Sequence, residues 1–428
     1  MSPIYLGIDF GTSGARAIAI DAHQQPQAQA TVRFSDAAQT CEIWKSALVD
    51  LFTQLPLALR QQTRAIAING TSSTVLLCNA QGQPLAPPLL YNDARGAAVL
   101  EQVRAIAPAN HTVISATSSL AKLLWLVQHW QEAGKPELEL LTSYFLHQAD
   151  WLAYLLHGKL GMSDYHNALK LGYDVGALRY PDWLLAAQIP VQLPRVVAPG
   201  TAIAPAQSEI IQQFGLAPDT LVCAGTTDSI AAFLASGVAF PGEAVTSLGS
   251  TLVLKLLSAT RVDDARYGIY SHRLGDQWLV GGASNTGGAV LQQFFSPAEL
   301  EQLSQAIDPT HESRLDYYPL LQPGERFPVN DPDLLPRLTP RPADPAAFLH
   351  GLLESMARIE ARGYQLLQEL GASRLQRVDT AGGGAKNSAW TQIRSRHLGV
   401  PVSVSTHIEA AYGTALLAKR ALKDQPCE

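Results

Sequence analysis

The sequence predicts an α/β fold of two related lobes, on three observations. Apolar runs of strand length alternate with stretches of helical period. The chain opens on two strand-like runs joined by a glycine-bearing corner, the mark of a hairpin. A second hairpin with a similar corner follows roughly 240 residues later, so one supersecondary unit is used twice rather than in an array. At 428 residues the chain has room for two or three domains of roughly 150 residues each.

The elements follow in order. Ile4–Ile8 and Ala15–Ile20 flank the corner Asp9-Phe10-Gly11-Thr12-Ser13-Gly14, and a third strand-like run covers 31–34. A helix is predicted over 44–55, with Trp44, Leu48, Leu51, Phe52 and Leu55 on one face. Ala65–Ile68 and Thr74–Cys78 read as strands joined by Asn69-Gly70-Thr71-Ser72-Ser73, and several helices fill 96–157. Leu221–Ala224 reads as a buried strand, followed by Gly225-Thr226-Thr227-Asp228 and a helix to about Ser236. A boundary falls near Phe240-Pro241-Gly242, giving lobes 1–240 and 241–428, with the last helix free to pack back on the first. Ala244–Leu248 and Leu252–Leu256 form the second hairpin about Gly249-Ser250-Thr251. The Pro-rich stretch 322–345 reads as a surface loop, and a long helix runs from Pro345 to Leu370. Strand Val378–Ala381 then leads into Gly382-Gly383-Gly384 and a helix from about Asn387 to Leu398.

Composition narrows the function. The 31 basic and 37 acidic residues leave a net charge of −6, which disfavours the basic face that nucleic acid needs. No run approaches the roughly 18 apolar residues of a membrane span, and no secretory or transit segment is recognisable. Cys41, Cys78, Cys223 and Cys427 make no Cys-x-x-Cys pair, so neither zinc nor a disulfide framework is expected. Three semi-buried thiols and one near the C-terminus suit a reducing compartment, and a cytoplasmic location is expected.

Four constellations could carry chemistry. The corner Gly11–Gly14 offers successive backbone N–H groups as an anion nest, with Thr12 and Ser13 hydroxyls beside it. Asp9 could hold a cation bridging phosphates. The plain alternative is a hairpin turn, since Gly and Ser are common there. Gly249-Ser250-Thr251 repeats the corner without the carboxylate. Gly382-Gly383-Gly384-Ala385-Lys386-Asn387 lets backbone approach a flat ring or sugar, with Asn387 capping the next helix. Asp228 at a strand end is either a helix-start carboxylate or a general base. No Gly-Lys-Ser/Thr phosphate loop is present.

Together these segments resemble the FGGY family of carbohydrate kinases, which is built on the duplicated, ribonuclease-H-like (actin-like) ATPase fold with a central cleft. The resemblance covers essentially the whole chain. Asp9-Phe10-Gly11-Thr12-Ser13 and Gly249-Ser250-Thr251 resemble its two phosphate loops, Gly382–Asn387 its adenosine loop, and Gly225-Thr226-Thr227-Asp228 its catalytic segment. Ser119-Leu120-Ala121-Lys122-Leu123-Leu124-Trp125 is similar to its Ser/Pro-x-x-Lys-x-x-Trp signature. Tyr91-Asn92-Asp93-Ala94-Arg95 resembles its Trp-x-Asp-x-Arg loop and is read as an edge loop. The chain is shorter than typical glycerol or xylulose kinases. After Ile68 it carries neither the Gln-Met-His-Gly-like stretch of xylulose kinases nor the Arg-Glu of glycerol kinases. It is most similar to the short D-ribulose kinases of cyanobacterial and plastid type, including the segment Ser163–Gly172.

The resemblance implies phosphorylation of the terminal hydroxyl of a ketopentose, D-ribulose first, with ATP and Mg²⁺. Asp228 is the implied base, with Asp9 and Thr12 also catalytic. Asp9, Thr12, Ser13, Gly14, Arg16, Ser72, Ser73 and Asp228 would bind sugar. Gly11, Thr12, Ser13, Gly249, Ser250, Thr251, Gly288, Gly383, Gly384, Ala385 and Asn387 would bind ATP, and Asp9 the metal. Closure about a hinge near Phe240 is expected to exclude water. Asp150 and Trp151 read more readily as a helix-face carboxylate beside a core ring. D-Xylulose, a pentitol or a tetritol are alternative substrates. An actin- or Hsp70-type ATP-binding protein is the non-enzymatic alternative, and it would need neither Asp228 nor the serine loop. The expected partners are a small sugar and ATP, with no nucleic acid or membrane, and no sequence feature specifies an oligomer.

Overall fold

The computed structural model describes residues 2–34 and 39–422; Cys427 lies outside them. The chain forms two compact units, Met1–Ala235 with Glu409–Glu428, and Ser236–Ile408. The helix Ala410–Arg420 therefore belongs to the first unit.

The first unit is built on a six-stranded sheet. Its strands are β1 (Ile4–Phe10), β2 (Gly14–Ile20), β3 (Pro26–Arg33) and β4 (Thr63–Gly70). β5 (Val75–Cys78) and β6 (Tyr144–His147) form a separate antiparallel pair, and β7 (Met162–Asp164) and β8 (Arg195–Val197) a parallel one. β9 (Ala202–Pro205) and β10 (Leu221–Thr227) complete the main sheet in the order β3-β2-β1-β4-β10-β9. β1 and β2 form the hairpin, while β4 and β10 run parallel to β1. The apolar face of helix Cys41–Gln54 buries Trp44, Leu48, Leu51 and Phe52 against this sheet, as its period requires. β3 starts earlier than the predicted run, and β6, whose four residues carry little period, was not readable.

The second unit repeats the plan. β11 (Glu243–Leu248) and β12 (Leu252–Ser258) are the hairpin. β13 (His272–Leu274), β14 (Gln277–Ser284), β15 (Arg377–Ala381) and β16 (Val402–Val404) follow, in the order β13-β14-β12-β11-β15-β16. In each unit three antiparallel strands are followed by two parallel ones on the other side of the hairpin's first strand, with one further edge strand.

The Pro-rich stretch differs from a plain surface loop. Phe327 is fully buried in the core, and the Glu325 carboxylate accepts from Ser284 Oγ at 2.5 Å and from Asn285 N at 2.8 Å. One apolar ring and one buried acceptor stitch an irregular segment onto β14. No helix among the described residues is long and apolar enough to cross a membrane. Cys41, Cys78 and Cys223 are free and buried, and burial pushes each thiol up to about 12, so none is a ready nucleophile.

Candidate active site

In the first unit, parallel strands end side by side. Asp9 pairs in register with Asn69, and Asn69 with Thr226, so three polar side chains stand at one level across β1, β4 and β10. The carboxyl ends of parallel strands are where such sheets open to ligands. β10 runs on through Gly225, Thr226 and Thr227, so the segment expected after the strand is its last turn of ladder. A Cβ on Gly225 would stand 1.7 Å from the Ile68 carbonyl oxygen, so only glycine allows this approach and the register shift beside it. That bulge delivers Asp228 to the first position of helix Asp228–Ala235, where Oδ1 accepts from Ser229 N at 2.6 Å. A carboxylate is favoured at a helix start.

Asp9 and Asp228 act on each other. Burial, then the Asp228 charge, push the Asp9 carboxyl up to about 6, while Arg16 and Asn69 pull it partly back. Arg16 is opposite Asp9 in the hairpin register and is exposed, so it is solvated and electrostatically useful at once. Thr12 and Ser13 sit exposed at the hairpin tip, which closes through Gly11 N to Gly14 O at 3.0 Å. Ser72 is half-buried and Ser73 buried on the turn leaving β4, with Ser73 at φ 63°, a left-handed conformation rare for serine. The fold thus brings Asp9, Arg16 and Asp228 to neighbouring strand ends, with Ser72 and Ser73 on the loop that leaves the strand between.

Further polar residues gather around them. Buried atoms with no hydrogen-bond partner include Asp9 Oδ1, Asn69 Oδ1, Ser73 Oγ, Gln148 Nε2, Asn167 Oδ1 and Thr227 Oγ1. Each carboxamide among them is fixed at its other end. Asn69 Nδ2 donates to Thr414 Oγ1 at 2.6 Å, and Asn167 Nδ2 donates to Asp164 Oδ2 at 2.6 Å. Gln148 Oε1 accepts from Thr71 N at 3.1 Å and Thr71 Oγ1 at 3.2 Å. Native proteins leave few such groups unmatched, so ordered water or a hydroxyl-rich ligand is the natural complement. His166 Nδ1 lies 2.7 Å from Thr226 Oγ1, and burial, with help from Asp150, pushes the Asp164 carboxyl beneath it up to about 7. Sequence reasoning did not single out Asn69, Gln148, Asn167 and Thr227 as candidate site residues. Asn69 and Asn167 stood in quoted segments, yet only tertiary pairing shows which end of a carboxamide is left unmatched.

One constellation mimics another chemistry. Ser119 Oγ lies 3.2 Å from His147 Nε2, and His147 Nδ1 lies 2.9 Å from Asp150 Oδ2. Ser119 and His147 are fully buried, so no acyl group reaches the serine, and the trio is a structural network. Asp150 also caps its own helix, beside a core Trp151.

The second unit gathers backbone. The parallel strands β11 and β15 end together, Ser247 opposite Ala381. Gly249 O accepts from Gly288 N at 2.8 Å, and Ser250 O from Ala289 N at 3.1 Å, so the corner 249–251 rests on the start of helix Gly288–Phe294. Gly382 has φ 86° and its Cβ would meet the Leu248 carbonyl oxygen at 2.6 Å, which brings the glycine loop against the end of β11. Gly383 has open space around it, whereas Gly384 packs on Leu248 and Trp390 and Ala385 is buried. Asn387 caps helix Ser388–Leu398, with Oδ1 accepting from Trp390 N at 3.0 Å and Nδ2 donating to Ser304 Oγ at 2.8 Å. Both polar ends of its side chain thus serve the fold.

Beneath these loops lies a fully paired network. Arg394 donates to both Glu360 oxygens at 2.6 and 2.7 Å and to Thr380 Oγ1 at 2.7 Å. Thr246 Oγ1 donates to Glu360 Oε1 at 2.5 Å. Thr246 and Thr380 face each other on β11 and β15, so the ion pair locks both strands just below the loops they carry. Glu312, Glu354 and His397 form the cluster with metal-ligand spacing among the described residues, but Arg396 already spans both Glu354 oxygens at 2.9 Å.

Known proteins share this plan. Residues 4–235 match the N-terminal domain of the FGGY family of carbohydrate kinases, and residues 244–422 its C-terminal domain. A xylulose kinase of Streptomyces coelicolor is 28% identical over 442 residues, covering 94% of this chain and 84% of that one. A gluconokinase of Bacillus subtilis is 21% identical, covering 92% and 83%. The crystal structure of a xyloylose kinase from Brucella ovis aligns with a TM-score of 0.85 at 24% identity, over 99% of this chain and 91% of that one. The two domain matches account for both units, and the chain belongs to the FGGY family of carbohydrate kinases.

Proposed function

We propose that this sugar kinase transfers the γ-phosphoryl group of ATP to the terminal hydroxyl of a free ketopentose, D-ribulose before others, giving D-ribulose 5-phosphate. The observation that carries the reading is the Asp9–Asp228 pair at converging strand ends, set among buried polar atoms that lack partners. Phosphoryl transfer asks for positioning and charge stabilisation more than covalent chemistry. Asp228 accepts the proton of the sugar hydroxyl as it attacks phosphorus. Ser72, Ser73, Ser13, Arg16 and the backbone at Gly14 hold the remaining hydroxyls. Thr12 and Ser13 at the first corner and Gly249–Thr251 at the second give N–H and hydroxyl donors to the phosphates, while Gly11 and Gly288, whose N–H groups already donate to Gly14 O and Gly249 O, shape the two corners. Gly383, Gly384 and Ala385 back the adenosine, and Asn387 holds that loop through its cap.

Mg²⁺ fits Asp9, because Oδ1 has no partner and a second carboxylate opposes its charge. When bound, the ion neutralises charge on the phosphate oxygens. Thr12 then contributes its hydroxyl beside Asp9. A reducing, cytoplasmic setting accords with the three free thiols.

D-Xylulose is the second reading, favoured by relatives named xylulose kinases. The Asn69–Thr74 segment favours the first, since it lacks the Gln-Met-His-Gly-like stretch. An ADP-release screen over about a dozen free ketoses and polyols decides between them. The expected result is the highest kcat/KM on D-ribulose, with Mg²⁺ required. A polyol preferred over every ketose overturns the substrate, and no ADP release with any sugar overturns the activity.

A further inference from the structure

We infer that Lys122 is a positioning residue: its buried ammonium ties the Ser72–Ser73 turn to the Leu90–Tyr91 segment and thereby sets the affinity for sugar. The inference rests on the sugar site proposed above.

Lys122 lies on helix Ser119–Glu132 and is fully buried. Its Nζ donates to three backbone carbonyls, Ser73 at 2.7 Å, Leu90 at 2.6 Å and Tyr91 at 3.3 Å. An ammonium has three donors and no acceptor, so these carbonyls use all of it. A charge taken wholly out of water is costly unless matched in this way. Two of the carbonyls belong to one loop and the third to another, so a single cation fixes their spacing.

The Ser73 end is under strain. Ser73 holds φ 63° inside a turn closed by Thr74 N to Thr71 O at 3.2 Å, and its own Oγ is buried without a partner. Such a conformation persists only where its surroundings over-determine it. Lys122 takes the Ser73 carbonyl, and Gln148 takes the Thr71 amide at 3.1 Å. The turn is therefore held from both ends while the serine hydroxyl stays unmatched.

The same helix steadies the second loop. Trp125 lies one turn beyond Lys122, and the Arg95 guanidinium stands 4.7 Å from its ring centroid. Arg95 in turn grips Asp93 with Nε at 2.9 Å and Nη2 at 2.6 Å. Tyr91, 45% exposed, stands between these two anchors. The Ser-x-x-Lys-x-x-Trp spacing thus places three side chains along the helix. Ser119 meets His147, Lys122 meets the two loops, and Trp125 meets Arg95.

The charged groups around the ammonium are Asp93 and Arg95 on the second loop and Lys170 on the turn Ala168–Leu171. Burial, against the pull of Asp93, brings Lys122 down to about 8. A neutral amine has only two donors, so above that pH one of the three carbonyls faces a lone pair.

The test uses the whole chain. In Lys122→Met, KM for the preferred ketopentose should rise 10- to 100-fold while KM for ATP moves less than twofold. Hydrogen exchange at amides 72–75 and 89–92 should speed up at least tenfold, with helix 119–132 unchanged. If that variant does not fold, wild-type enzyme between pH 7 and 9.5 gives the same answer. Sugar KM should climb above about pH 8, with ATP KM flat, and a Trp125→Leu control should keep the pH response. Unchanged loop exchange in Lys122→Met, or a sugar KM flat to pH 9.5, overturns the inference. Altered loop exchange in a protein that phosphorylates no ketopentose would overturn the substrate reading and leave the loop tie standing.

Discussion

The two units run the same strand order and yet treat equivalent positions in opposite ways. Counting back from the hairpin corner, Asp9 corresponds to Ser247, and their parallel neighbours are Asn69 and Ala381. The first unit puts charge and carboxamides at that level, several with an unmatched atom. The second puts small side chains there and sinks its charges below, as the matched Arg394–Glu360 pair. A ligand read by hydroxyl geometry calls for projecting polar side chains. A phosphate chain calls for open backbone N–H groups, and small residues leave that backbone bare. The repeated plan thus presents polar side chains at this level in the first unit and small residues in the second.

Substitutions in each unit test this contrast. The largest effect belongs to Asp228, the base proposed for the first unit. Asp228→Asn should lower kcat about 10²- to 10⁴-fold with KM for ATP within twofold, read by coupled ADP release. Near-normal turnover would remove Asp228 from the chemistry.

In the second unit the large effect should fall on stability. Arg394→Met leaves Glu360 buried and unpaired, which costs about 3–5 kcal/mol in chemical denaturation. Replacing both partners by apolar residues should recover much of that loss.

Asp9→Asn separates function from stability. Asp9 titrates in the fold at about 6, above its ordinary value, so the folded state holds the extra proton between roughly pH 4 and 6. Stability therefore falls as pH rises through that window, and the charged form is a cost at pH 7.5. Asp9→Asn should raise Tm at pH 7.5, with the gain shrinking toward pH 4, while kcat/KM collapses. A Tm gain that is equal at both pH values would contradict the raised Asp9 titration, to which burial contributes most and the Asp228 charge next.

The smallest effect is Asn387→Ala. It removes a helix cap and should cost about 1 kcal/mol, with only a few-fold change in KM for ATP.

How much of this was legible depended on range. Both hairpins, the helix from Pro345 and the glycine loop were readable, because period and turn residues are local signals. The repeat itself was readable from two similar corners. The strand β6 was too short to show a period, and Phe327 looked like part of a surface loop because its burial depends on β14. Asp9 and Asp228 stood out as carboxylates at strand ends. Asn69, Gln148 and Thr227 did not, since an amide or hydroxyl looks alike in sequence whether its partner is present or missing. Lys122 was visible as part of a motif, but its three carbonyl partners come from segments 31 to 49 positions away.

The central claim is that the first unit presents the sugar's reacting hydroxyl to Asp228. A crystal structure with a ketopentose and a non-hydrolysable ATP analogue tests it most directly. The terminal hydroxyl should lie within hydrogen-bond reach of the Asp228 carboxylate, and the triphosphate should sit on Gly11–Ser13 and Gly249–Thr251. A sugar bound away from Asp228, or phosphates that touch neither glycine corner, would contradict it.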